Sequence, residues 1–155
     1  MLDKKKVIGI FVLFFIIINF YLFSLPKNCN YDDSCFNDAA AKCSRAKVIS
    51  YKEGNEYNYE VLARKKDDCI INVKLARISE EKAEDIRSAL EGKSMICSVP
   101  EETLKTKSLN EIENLNDFCT GALKEAILEV TVNGMYELVV KNIGSIAAEF
   151  NKGLE

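Results

Sequence analysis

The sequence predicts an α+β fold in which an N-terminal transmembrane helix precedes a small domain, a three-stranded antiparallel meander packed by several α-helices. Three observations predict it. Residues 7–25 form an apolar run without a charged side chain. Residues 47–77 contain three short runs of alternating polar and apolar residues, which are typical of strands. The segments on either side of these runs repeat apolar residues every three or four positions, as helices do.

The apolar run at residues 7–25 predicts a membrane anchor. Its 19 residues rise about 1.5 Å each, enough to cross most of a ~30 Å hydrocarbon core. Lys4–Lys6 precede the run and acidic residues follow it, so we expect residues 1–6 to be cytoplasmic. We therefore predict a single-pass protein of the cell membrane, held in the lipid bilayer by residues 7–25, with residues 28–155 as one extracytoplasmic domain. A cleaved signal peptide is the alternative, although such peptides have shorter apolar regions.

Charge and composition argue against several classes of function. Of the 21 basic and 24 acidic residues, four lysines and Asp3 precede Asn28, so 17 basic and 23 acidic residues remain beyond it. A domain with a net charge of about −6 repels phosphate backbones, and we expect no nucleic-acid partner. The chain has no histidine, the side chain most often used as a general base or zinc ligand near neutral pH. We expect no cofactor or metal, and no catalytic residue stands out.

Six cysteines follow the apolar run, with spacings that match no zinc or iron–sulfur motif. An even number on the predicted oxidising side favours disulfide bonds. Free buried thiols and redox or metal chemistry are the alternatives. Cys35 and Cys43 would lie about 12 Å apart if they shared one helix, which is too far for a disulfide. We predict that Cys29 pairs with Cys35, Cys43 with Cys69, and Cys97 with Cys119.

Local patterns predict the first half of the domain. Asp32 to Ala46 predicts an amphipathic helix, with acidic residues near its start and basic residues near its end. The strands of the meander are predicted at residues 47–52, 57–64 and 69–77, between segments rich in Gly, Asn, Asp and Lys. Because side chains alternate along a strand, each of these strands has one buried face.

The next segments predict mainly helices. Ser79 predicts the N-cap of a short helix that ends before Gly92. Met95 to Val99 predicts a brief extended piece or loop ended by Pro100. Ser108 and Glu111 form a capping box, which predicts a long helix after them. Its one apolar face carries Ile112, Leu115, Cys119, Ala122, Leu123, Ala126 and Ile127.

The C-terminal region has two interpretations. Asn133-Gly134 between apolar residues is typical of a hairpin turn. At about 100° per residue, the apolar face before Val130 points away from a second apolar face, so one straight helix would be apolar on both sides. We predict two helices that meet near Gly134, with a hairpin within residues 126–141 as the alternative. The second apolar face consists of Met135, Val139, Ile143, Ile146 and Phe150.

Three tyrosines on the predicted meander are candidate ligand-binding residues. Tyr51, Tyr57 and Tyr59 would line a groove that stacks sugars or holds cationic groups. Cross-strand packing of the same rings is the alternative interpretation.

Two short motifs carry a resemblance to a known group of proteins. Met95-Ile96-Cys97-Ser98-Val99-Pro100 and Phe118-Cys119-Thr120-Gly121-Ala122-Leu123 follow an apolar segment and a meander. In this the chain resembles uncharacterised small archaeal membrane-anchored proteins that contain cysteines. The resemblance implies an architecture with an uncut anchor, and it implies no activity and no functional residue.

Topology and the lack of a catalytic constellation together predict a function. We expect a non-enzymatic, membrane-tethered extracytoplasmic module that binds another envelope or membrane protein. An envelope enzyme or thiol-redox protein is the second class of function. A ligand-binding accessory subunit that uses the three tyrosines is the third.

Overall fold

The computed structural model describes residues 13–15, 25–112 and 114–152. They form an α+β domain around a six-stranded mixed sheet, in which the strands lie side by side in chain order. Two 3-10 helices, Leu109–Glu111 and Leu115–Phe118, precede the last strand. The strands are β1 (Lys27–Asn28), β2 (Ala46–Lys52), β3 (Asn55–Lys65), β4 (Asp68–Arg77), β5 (Ser94–Pro100) and β6 (Cys119–Thr120), and the helices are α1 (Asp33–Ala40), α2 (Glu84–Leu90), α3 (Glu101–Thr106) and α4 (Ala122–Lys152).

The meander predicted from alternation is the centre of a larger sheet. β2, β3 and β4 pair antiparallel. Glu53 and Gly54 connect β2 to β3 with φ angles of 50° and 79°, as a two-residue hairpin turn requires. The predicted three-stranded sheet is nevertheless wrong, because β5 and β6 extend it antiparallel beyond β4 and β1 extends it parallel beyond β2. β1 and β6 have two residues each, too few for alternation to reveal.

The predicted N-terminal transmembrane helix is the second correction to the fold. Among the described residues, no helix is both long enough and apolar enough to cross a membrane. The structure describes only residues 13–15, which are helical, and Leu25 from the predicted anchor. The remainder of residues 7–25 lies outside the described residues.

One face of the sheet carries the core. In β2, β4 and β5 the residues that point to this face are buried at every second position, as the alternation of side chains along a strand requires; in β3, Tyr59 and Val61 are buried. Phe36 of α1 and Leu123 of α4 are 2% and 1% exposed and belong to the same cluster. Side chains on the opposite face, such as Lys47 and Asn58, are exposed or only partly buried.

Three disulfides tie this core together, and their pairing confirms the prediction. Cys29 is bonded to Cys35 and Cys43 to Cys69, with Cα atoms 5.7 Å and 5.4 Å apart. Cys97 is bonded to Cys119, its direct partner in the register of β5 and β6. All six cysteines are therefore oxidised, and no free thiol remains in the chain.

The first two helices are shorter than predicted. Asp32 is the N-cap of α1, since its carboxylate accepts hydrogen bonds from the backbone N–H groups of Ser34 and Cys35. The helix ends at Ala40 and not at Ala46, because Ala46 already begins β2. Ser79 does not cap α2, whose N-cap is Ala83. The backbone N–H of Ser79 instead donates to the Asn55 side chain, at the start of β3.

The long helix predicted after the capping box does not form there. The Ser108–Glu111 box is present, but it opens only a 3-10 turn. Asn114 then has a φ of 58°, and the chain joins the sheet as β6 before Gly121, with a φ of 126°, leads into α4. Cys119 of this strand is paired and disulfide-bonded with Cys97 of β5, so non-local pairing overrides the helical pattern of residues 112–120.

A single helix occupies the ambiguous C-terminal region. α4 runs without a break from Ala122 to Lys152, so the two predicted helices and the alternative hairpin are both wrong. Gly134 lies within this helix, with no atom close to the position a Cβ would take. Met135, the member of the second predicted apolar face whose side chain the structure describes, is exposed.

Candidate functional site

The three predicted tyrosines do not share one surface. Tyr57 and Tyr59 point to the core face of β3, with their ring centroids 6.0 Å apart. Tyr51 points to the other face of the sheet and is 60% exposed. It stacks on Tyr31, with 5.9 Å between ring centroids, and its hydroxyl donates to Glu56 Oε2 at 3.0 Å. A single groove lined by all three rings therefore does not exist.

The cation that faces Tyr57 and Tyr59 is a lysine of the same chain. Lys52 Nζ lies 5.2 Å from the ring centroid of Tyr59 and 6.0 Å from that of Tyr57, within cation–π range. It donates hydrogen bonds to the Tyr59 hydroxyl at 3.1 Å and to Asn110 Oδ1. The Lys52 amine thus occupies the place where these rings would otherwise hold a cationic ligand.

Burial changes the protonation of this lysine–tyrosine cluster. It lowers the pKa of Lys52, and it raises the pKa of Tyr57 and of Tyr59. Neutral phenols are therefore favoured well into the alkaline range. The cluster joins the end of β2 to the 3-10 helix that contains Asn110, which is a structural role.

The opposite face of the sheet carries a polar cleft of about 410 Å³. The pairing register places Asn28, Lys47, Glu60 and Asn72 in one row across β1 to β4. Ile49, Asn58 and Lys74 form the next row across β2 to β4, and Asn30 and Tyr31 also line the cleft. This cleft offers both hydrogen-bond donors and hydrogen-bond acceptors, and the side chains that line it include positive and negative charges.

Among the residues that line the cleft, only Asn58 has a buried side-chain atom without a hydrogen-bond partner. Its side-chain oxygen is buried and accepts no hydrogen bond from the chain. A buried acceptor without a donor costs about 1–3 kcal/mol. Because this oxygen has no surface open to the cleft, the Asn58 side chain must turn before a hydroxyl or amide donor from outside the chain can reach it. Asn58 was not among the predicted site residues, although alternation along β3 places it opposite Tyr57 and Tyr59 and marks its face as the outer one.

Another surface of the described residues, on α4, is apolar and exposed. Leu123 and Ala126 on one side of this helix are buried, at 1% and 3% exposure. Among the residues of α4 whose side chains the structure describes, four large apolar ones lie in solvent on the opposite side. They are Leu128, Val132, Met135 and Tyr136, with exposed fractions of 52%, 62%, 62% and 70%. We call this surface the outer stripe of α4.

The outer stripe points away from the domain. At about 100° per residue, its four members fall within roughly 100° of the helix circumference. Val130, Asn133 and Glu137 lie on the other side of the helix, where they share a cleft with Ile86 and Ala89 of α2. The part of the chain that the structure describes therefore packs one side of α4 and leaves the outer stripe in solvent.

Comparison of the chain with models of known protein families, with curated proteins and with solved structures finds no match. The resemblance to small archaeal membrane proteins therefore stays a prediction. Arguments about function rest on the surfaces described above.

Proposed function

We propose that the protein is an extracytoplasmic, disulfide-stabilised binding module that packs a helix of another envelope or membrane protein onto the outer stripe of α4. The observation that carries this proposal is the exposure of Leu128, Val132, Met135 and Tyr136 on one side of a continuous helix. The three disulfides support an oxidising location, where such bonds persist.

The size of the outer stripe supports a binding role. Single exposed apolar residues are ordinary, but contiguous patches of more than a few hundred Å² mark interaction sites. The exposed parts of the four side chains amount to roughly 400 Å², which lies in the range that is often functional. An amphipathic helix with anchors three or four residues apart is also a common way for proteins to bind helices.

A pair of matched substitutions tests the proposal. Met135→Lys places a charge in the outer stripe, whereas Asn133→Lys places the same charge about 160° away around the helix. Both residues are exposed, so neither change disturbs the core. A central apolar anchor contributes about 2 kcal/mol or more to binding, so Met135→Lys should weaken complex formation by at least roughly tenfold.

The measurement is the amount of bound protein recovered with the full-length tagged chain after mild detergent extraction. We expect recovery to fall for Met135→Lys and to stay at the wild-type level for Asn133→Lys. Equal recovery with both variants would contradict the proposal.

The polar cleft supports a second candidate function, a ligand-binding accessory subunit. The unsatisfied side-chain oxygen of Asn58 favours this function, with a ligand that offers hydroxyl or amide donors. Neutral disaccharides are a suitable probe, because their hydroxyls match the amides of the cleft. We expect them to shift the side-chain amide NMR signals of Asn58 and Asn72, and an unchanged spectrum at millimolar probe would exclude this class of ligand.

A further inference from the structure

We infer that the helix bound by the outer stripe of α4 is α4 of a second copy of this chain, an inference that rests on the proposed function. The first support is the spacing of the apolar residues. Leu128, Val132, Met135 and Val139 are separated by four, three and four residues, and the same steps follow from Val139 through Ile143 and Ile146 to Phe150. All seven positions belong to one unbroken helix.

This spacing is an 11-residue repeat, because each of the first four positions recurs eleven residues later. An 11-residue repeat advances by about 3.67 residues per turn, close to the 3.6 of a straight α-helix. The apolar line therefore stays nearly parallel to the helix axis over its whole length. Such a line packs along a second helix of similar length, as in coiled coils with slight right-handed supercoiling.

The repeat is complementary to itself. The steps of four, three and four residues read the same in both directions from Val139. A two-fold axis near Val139 would place two antiparallel copies in register, with Leu128 opposite Phe150, Val132 opposite Ile146 and Met135 opposite Ile143. Closed two-fold dimers require one patch that serves both partners, and this helix provides it.

Charge and area also fit a second copy. No charged residue occupies any of the seven repeat positions, so pairing brings no like charges together in the seam. Glu137 and Lys141 fall on the other side of the helix at about 100° per residue. If each seam side chain buries roughly 100 Å² of apolar surface, the two helices bury about 1,400 Å², within the range of stable interfaces.

Photo-crosslinking of the full chain in living cells tests this inference. Two copies with different epitope tags are co-expressed, each with a photoreactive phenylalanine derivative in place of Met135. The expected result is a covalent product that carries both tags at twice the 17.5 kDa mass of one chain, plus the tags. The same derivative in place of Glu137, on the side of the helix near α2, should give at least tenfold less of this product.

The outcomes separate the inference from the proposed function. A product that joins one tagged chain to a different protein would overturn the second copy but leave the binding role of the outer stripe intact. A chain that crosslinks only to lipid, or to no protein at all, would overturn both. Equal amounts of two-tag product from positions 135 and 137 would also overturn the inference, because contact would then not be confined to the stripe.

Discussion

The disulfide between Cys97 and Cys119 should stabilise the domain more than the disulfide between Cys29 and Cys35. The perturbation is the double substitution Cys97→Ala/Cys119→Ala, compared with Cys29→Ala/Cys35→Ala. The first bond closes a sequence separation of 22 residues and the second a separation of 6. Loop-closure entropy then gives about 3.4 kcal/mol for the first and about 2.2 kcal/mol for the second.

Burial strengthens this order. Cys97 and Cys119 are 0% and 1% exposed, while Cys35 is only partly buried. Loss of buried sulfur atoms adds a packing cost to the entropic one, so the difference between the two variants should be at least about 1 kcal/mol. A domain of this size has only about 5–15 kcal/mol of stability, and loss of the Cys97–Cys119 bond removes a substantial part of it.

The assay is equilibrium urea unfolding followed by circular dichroism. With a slope of about 1–3 kcal/mol per molar urea, the Cys97→Ala/Cys119→Ala variant should lower the midpoint by about 1–3 M. The reasoning would be refuted if this variant lost less free energy of unfolding than Cys29→Ala/Cys35→Ala, or if it lost less than about 1 kcal/mol.

Four further predictions each concern one residue. Gly121→Ala should lower the free energy of unfolding by about 1–3 kcal/mol, because φ is 126° and the new Cβ would lie 3.2 Å from the Ser94 carbonyl oxygen. Gly134 has open space around it within α4, so Gly134→Ala should raise the free energy of unfolding by about 0.5–1 kcal/mol in the same urea assay. The pKa of Tyr59 is raised above 10.0 in the folded state, so the stability that this shift contributes is full below pH 10.0 and is lost as the pH rises through the folded pKa. We therefore expect the free energy of unfolding of wild type to fall more steeply between pH 9 and 11 than that of Tyr59→Phe. Parallel slopes would contradict this. Hydrogen bonds from the Ser34 side chain and the Cys35 backbone lower the pKa of Asp32 below 3.8. The stability advantage of wild type over Asp32→Ala should therefore be full above pH 3.8 and vanish at lower pH. Thermal melts across pH 2–7 measure this difference.

Local patterns predict the elements whose hydrogen bonds are local or whose partners are close in sequence. The strands of the meander alternate clearly, and the Glu53-Gly54 turn fixes the register of β2 on β3. β1 and β6 carry no comparable pattern, since each has two residues and exists only by pairing with a distant strand. The helix predicted from Ile112 onward does not form there, because Cys119 and Thr120 pair with a distant strand instead.

The same difference between local and distant contacts decides which side chains of the candidate site could be placed from the sequence. A two-residue turn after Lys52 pairs Tyr51 with Glu56 and Ser50 with Tyr57, so the sequence already contained the information that Tyr51 and Tyr57 lie on opposite faces. The place of Lys52 over the rings was not predictable, because it depends on the distant Asn110. The apolar positions from Met135 to Phe150 are visible as a periodicity. A periodicity does not tell whether an apolar face is covered within the chain, so it does not exclude one continuous helix through Gly134.

The claim on which the stability and the location of the domain both depend is that the six cysteines form three disulfides in the cell. The most direct test is to alkylate the full chain in intact cells before any reduction and to determine its mass with and without later reduction and a second alkylating agent. We expect no label from the first step and six labels from the second. Label on all six cysteines before reduction would contradict the account, because it would place the domain in a reducing compartment without its three bonds.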